Sequence, residues 1–218
     1  MESSMLYNVG NTIDVPTICD MTSRMQKLVE IAGRAGVIRP RDLDEHGIPR
    51  SYLARMEASG ALERRARGLY VPVGVEATEH HDLAMACKRV PHGVVCLLSA
   101  LRFHDLGTQA PFETWLAIDV KARAPLVRGM ALRIVRMSGE SREAGVEERE
   151  IEGVTVKVYS AAKTVADCFK FRNKVGIDVA LEAAREYLRR GESMDDLWRF
   201  ARVCRVAEVA RPYLEAIA

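Results

Sequence analysis

Two short runs with strand character, Leu62-Glu63-Arg64-Arg65 and Leu69-Tyr70-Val71-Pro72-Val73, stand on either side of Ala66-Arg67-Gly68. That spacing predicts a hairpin, because a few residues that include a glycine are what a tight turn between paired strands needs. Three helix signals precede it. Met25, Leu28, Ile31, Ala32 and Ala35 recur at three- and four-residue intervals until Gly36 stops the pattern. Pro40 opens a run through His46 that Gly47 closes, and Arg50 to Ser59 follows Ile48-Pro49 and ends at Gly60. Short helices joined by tight turns and followed by a hairpin predict a winged helix-turn-helix over residues 24–75. A unit of that size is near the limit at which a core holds alone, so it is expected to lean on the rest of the chain.

The flanking segments read differently. Met1 to Ser23 has no Lys or Arg and no sustained period, and it is expected to be an arm, with a short strand around Thr12 to Val15. No function attaches to it. Residues 76–218 read as a second domain of mixed type. Leu83–Val90 and Cys96–Leu106 have helical patterns, and Trp115–Val120, Leu132–Val135 and Val154–Tyr159 have strand patterns. Helices then close the chain at Ala161–Phe171, Asp178–Arg190, Met194–Val203 and Val206–Ala216, with Ser193 placed to cap the third of these. Strands followed by a run of helices predict an α+β fold rather than a doubly wound sheet, so the chain is expected to be a winged helix-turn-helix joined to an α+β domain.

Composition narrows the function. The 218 residues are 48% hydrophobic and 28% charged, which excludes collagen-like, mucin-like and wholly disordered chains. No apolar run approaches the length of a membrane span and no secretory pattern opens the chain, so a cytoplasmic protein without membrane contact is expected. The five cysteines are scattered, with no CxxC pair, which suits reduced, buried thiols and not a structural zinc site. No phosphate-cradling glycine loop is present, and neither cofactor nor metal is expected.

The formal net charge is only +2, so any nucleic-acid site must come from local asymmetry. Residues 24–75 supply it, with ten basic side chains against six acidic. Wound as a helix, the third segment puts Tyr52, Leu53 and Met56 on one side and Arg50, Ser51, Ala54, Arg55 and Ala58 on the other. Small residues let a helix axis approach the major groove while arginine reaches a guanine edge or a phosphate, and Ser51 with the helix N-terminus can hold a phosphate. Arg64, Arg65 and Arg67 are expected to cluster at the hairpin tip, where a wing meets backbone or minor groove. Arg39 and Arg41, at the start of the second helix, are further backbone candidates.

The runs Ile38-Arg39-Pro40-Arg41-Asp42-Leu43, Gly47 to Leu53, Gly60 to Arg64 and Arg67 to Val71 resemble the N-terminal winged helix of AbiEi-type antitoxins. Ser99 to Gly107, Thr114 to Ile118 and Tyr159 to Asp167 are similar to stretches of that family's C-terminal domain. The resemblance implies the antitoxin of a two-gene toxin–antitoxin or abortive-infection module active against phage, paired with an AbiEii-like nucleotidyltransferase toxin. It also implies repression of its own operon through the winged helix. Such systems are of type IV, in which a stable toxin complex need not form. The DNA partner is expected to be an operator, with inverted repeats read by a monomer or weak homodimer.

Two other readings compete. One is a ligand-responsive regulator without a toxin. The other is a restriction-type nuclease, in which Asp119-Val120-Lys121 would supply the acid and lysine and Asp105 or Glu113 an upstream acid. The chain lacks a Gly-Ser pair followed by Asp-x-Asp, so it is not itself a nucleotidyltransferase. Lys121, Arg123 and Lys163, at strand and helix ends, are the candidates for toxin neutralisation, against the plainer reading of solvated surface charge.

Overall fold

The computed structural model describes residues 18–74, 78–125 and 129–217, with the side chains of residues 18–22 and 34 excepted. The expected arm up to residue 17, including the strand at Thr12–Val15, lies outside the described residues. The first helix, α1 (Ile18–Ala35), begins seven residues ahead of the apolar stripe that starts at Met25. Ser23 is exposed and Arg24 half-buried, whereas Leu28 and Ala32 of the stripe are buried.

A 3-10 helix (Pro40–His46) follows, ended by Gly47 in the left-handed conformation, and then α2 (Ser51–Ala58). Strands β1 (Leu62–Ala66) and β2 (Leu69–Pro72) pair antiparallel, and Ile38 makes an isolated antiparallel bridge to Tyr70 of β2. Leu28, Ile38, Leu43, Ile48, Leu53, Met56 and Leu62 form the core of this unit.

The remaining elements are α3 (His81–Arg89), β3 (Val94–Val95), α4 (Leu97–Phe103), β4 (Thr114–Asp119), β5 (Leu132–Met137), α5 (Glu140–Glu143), β6 (Val146–Ile151) and β7 (Val154–Tyr159). Helices α6 (Ala161–Lys170), α7 (Arg172–Val175), α8 (Ile177–Arg189), α9 (Met194–Val203) and α10 (Ala207–Ile217) complete the chain. The five strands form one mixed sheet in the order β5-β4-β3-β7-β6, giving an α+β architecture. β4 pairs parallel with β5 and antiparallel with β3, β3 pairs parallel with β7, and β7 is antiparallel to β6.

Alternating residues of β4 enter two cores: Trp115 and Ala117 face the helical layer, whereas Leu116 and Ile118 face α3. Burial on both faces explains why this strand reads as a continuous apolar run. A strand that sequence reading missed, β6, is the opposite case. It is an edge strand whose Glu148, Arg149 and Glu150 are exposed, the charged protection that unpaired edges carry and the reason it shows no hydrophobic signal.

The two units share a core. Val37, Leu69 and Val71 of the winged helix pack in one cluster with Leu83, Ala84, Met85 and Cys87 of α3 and with Val95, Leu116 and Val158 of the sheet. Gly36 comes so close to the β6–β7 turn that a Cβ there would lie 2.1 Å from the Glu152 carbonyl oxygen. Glu152 in turn accepts hydrogen bonds from the N–H and hydroxyl of Thr78 at 2.9 and 2.8 Å and lies 2.7 Å from Nδ1 of His81. Among the described residues no helix is long and apolar enough to cross a membrane.

Candidate nucleic-acid interface

Tyr52, Leu53 and Met56 anchor α2 in the core, and Ser51, Ala54, Arg55 and Ala58 are exposed, the partition that the helical period predicts. Arg55 lies 5.3 Å from the centre of the Tyr52 ring, a cation–π contact that steadies the guanidinium without using its N–H donors. Arg50 makes a two-point ion pair with Asp44, at 3.2 and 2.6 Å, on a surface where both side chains are more than half exposed. Such a pair exchanges readily with another anion. The N–H groups of Tyr52 and Leu53 already bond to the Pro49 and Arg50 carbonyls at 3.0 and 3.1 Å. An anion at this end of α2 therefore has to be met by Ser51 and Arg50 rather than by those amides.

The hairpin arginines do not form the single cluster that their spacing suggested. β1 alternates its faces and shifts register between Arg64 and Ala66. Arg65 falls on the side of Glu63, paired with it at 3.1 Å, and lines a cavity of about 260 Å³ with His81, Asp82, Met85, Phe112 and Met130. Arg64 and Arg67 are exposed and carry no ion pair among the described residues. Arg41 is exposed as well.

Arg39 has a different environment from the one expected. Its side chain is only 18% exposed, it binds the Asp42 carboxylate at 3.1 and 2.9 Å, and it donates to the Lys88 carbonyl at 2.6 Å. Asp42 also accepts from Lys88 Nζ at 2.8 Å. Burial pushes the Asp42 carboxyl up, but the hydrogen bonds from Lys88 and Arg39 outweigh it and hold the group below the usual carboxylate range. Arg39 is thus a brace that ties the 3-10 helix to α3. Sequence reading missed its partner Lys88, because the apolar pattern of α3 signals a helix but not which neighbour its last turn meets.

The candidates in the second unit separate in the same way. Lys121 and Arg123 are exposed in the turn after β4, which Arg136 clamps by donating to the carbonyls of Val120 and Ala122 at 2.9 and 2.8 Å. Lys163, expected at a surface, is fully buried on α6, with its ammonium 2.5 Å from Asp167 and 4.2 Å from the Tyr159 ring centre. It is not available to a partner as it stands. Its position three residues into a helix start hides the fact that this turn faces the sheet, where Asp167 one turn later supplies the counter-charge.

Glu113 and Asp119 lie at opposite ends of β4, a separation of roughly 20 Å at the rise of an extended strand, so they do not share a metal. Glu113 is held by Arg133 at 2.9 Å and Asp119 accepts the Lys121 N–H at 2.8 Å, both ordinary surface partnerships. His80 and His81 diverge, the first tilted against Phe103 with ring centres 5.0 Å apart and the second meeting Glu152.

No curated protein matches the sequence. Among solved structures, the fold is similar to the crystal structure of RV2827C protein from Mycobacterium tuberculosis, with a TM-score of 0.50 and 14% identity over 88% of this chain and 81% of that one. At that identity the likeness concerns the fold alone. From the third turn of α1 to the end of the hairpin, residues 26–73 match the family model described as transcriptional regulator, AbiEi antitoxin, the family that the helix and hairpin motifs of this segment resemble.

Proposed function

We propose that the protein is the antitoxin of a two-gene module, which represses its own operon by binding operator DNA and neutralises a nucleotidyltransferase toxin encoded beside it. The observation that carries the DNA half of this reading is the exposed face of α2, where Arg50, Ser51 and Arg55 project beside small residues within the matched segment. Arg55 reads a base edge, Arg50 exchanges Asp44 for a phosphate, and Arg64, Arg67 and Arg41 neutralise backbone on either side. Arg65 contributes charge from the cavity side, and Arg39 acts through the brace rather than by contact.

The neutralising surface is the clamped turn that presents Lys121 and Arg123, away from the winged helix along β4. Lys163 supports the core beneath. The module acts in phage defence, without need of a stable complex, in keeping with the type IV arrangement implied by the family.

Two assays test the reading. Fluorescence anisotropy of the full chain on a duplex from its own upstream region should show specific binding, weakened by Arg55→Ala by roughly 10-fold or more if the side chain reads a base. Growth of a bacterial host expressing the adjacent gene should be arrested, and restored by co-expression of the full chain. Binding without a toxic neighbour would instead favour a ligand-responsive regulator, for which the 260 Å³ cavity between hairpin and α3 is the place to look. Absence of both binding and rescue would overturn the proposal.

A further inference from the structure

The last turn of α3 belongs, by its contacts, to the same surface as the winged helix. Lys88 grips Asp42 at 2.8 Å and its carbonyl receives Arg39, which fixes the end of α3 against the start of the 3-10 helix. The next residue, Arg89, reaches the hairpin turn. A Cβ on Gly68 would sit 3.8 Å from Arg89 Nη1 and 3.8 Å from Cδ of Pro40, so the guanidinium lies in the notch between wing turn and helix start. Arg89 is half-buried and forms no ion pair among the described residues.

The balance of charge in this notch is uneven. Arg41 and Arg67 are exposed and adjoin Pro40 and Gly68, the two residues that border the notch, and the nearby carboxylate of Asp42 is held by Arg39 and Lys88. A cation without an ion pair among the described residues, next to two turns that carry exposed arginines, is stabilised by an external anion. A winged helix seated in a major groove brings the backbone to the start of its second helix and to its wing. The occupant is therefore a phosphate of duplex DNA.

We propose that Arg89, contributed by the α+β unit, is a phosphate contact of the DNA site, acting with Arg67 and Arg41 across the notch at Gly68. This rests on the DNA-binding reading above and extends the binding surface beyond residue 75. The contact is to backbone, so it adds affinity on every sequence and carries no base preference.

The test is the salt dependence of full-chain binding, measured by anisotropy on its upstream duplex and on an unrelated duplex of equal length. Arg89→Ala should weaken both by a similar factor, roughly fivefold, and flatten the slope of log affinity against log salt by about 0.9. Arg89→Lys, which keeps the charge, should retain the wild-type slope, and an unchanged melting temperature in Arg89→Ala shows that its loss is not one of folding. A wild-type slope in Arg89→Ala, with Arg67→Ala still flattened, would overturn the role of Arg89 while leaving DNA binding intact. If the wild-type chain binds neither duplex, the DNA reading fails and this inference fails with it.

Discussion

Asp42 on the 3-10 helix and Lys88 on α3 lie 2.8 Å apart, each less than a quarter exposed, across the seam between winged helix and α+β unit. With Arg39 on the same carboxylate, the seam is fastened by one acid and two bases. The folded Asp42 carboxyl titrates below its ordinary value of 3.8, so its contribution is fully present above that pH and is lost as pH falls through the lower folded value. Asp42→Asn should therefore cost about 2 kcal/mol near neutral pH, with the deficit shrinking below roughly pH 4. Thermal melts of both proteins across that range check this, and a deficit that does not change with pH would contradict the brace.

Gly36 has φ of +56° and approaches the Glu152 backbone closely, so an alanine there meets both a left-handed backbone penalty and a collision with an atom that cannot swing away. Gly36→Ala should lose about 2 kcal/mol or more. Gly47→Ala is the control, because φ is +64° but no atom lies within 4 Å of the added Cβ. Equal losses in the two variants, read by urea denaturation, would mean that the approach to Glu152 contributes nothing.

Lys163 and Asp167 are both fully buried, and Cys204 Sγ lies 3.2 Å from the second carboxylate oxygen. Burial raises the Asp167 carboxyl above its usual range in spite of the attraction of Lys163. Lys163→Met strands that carboxylate and should cost about 3–5 kcal/mol, whereas Lys163→Met with Asp167→Leu should recover most of the loss. A raised folded value means stability present at low pH and lost as pH rises, so the single variant should be relatively more stable in acid. Additive losses in the double variant would show that the two side chains are not a pair.

Asp44 and Arg50 form an exposed pair at the start of α2, where the acid both occupies the arginine and repels DNA. Asp44→Asn should tighten binding to the upstream duplex by roughly threefold at low salt, with little change in melting temperature. Arg50→Ala should weaken it. Tighter binding by both variants would place Arg50 outside the interface.

Much of this fold is legible in the chain because its signals are local. The stripe from Met25 to Ala35, the glycines at 36, 47 and 60 and the two runs of the hairpin each announce an element whose neighbours confirm it. Val154–Tyr159 and Met194–Val203 are found with the bounds that their patterns predict. What escapes is whatever depends on a distant partner. Arg39 and Lys163 look like surface bases until Asp42 with Lys88 and Asp167 with the sheet are brought around them. β3 is two residues long, too short to show any period, and β6 is an edge strand whose alternation is masked by charge. Arg65 leaves the expected cluster because it shares a strand face with Glu63, next to a register shift that no composition could reveal.

The hydrophobic cluster that Val37, Leu69 and Val71 share with α3 and the sheet holds the winged helix and the α+β unit together. A winged helix tethered by a free linker could sit as close to its neighbour as its own girth permits. On the operator proposed above, each copy would bring the bulk of the α+β unit to the duplex in a fixed pose, so the spacing of half-sites that two copies can fill would be set by the girth of the whole molecule.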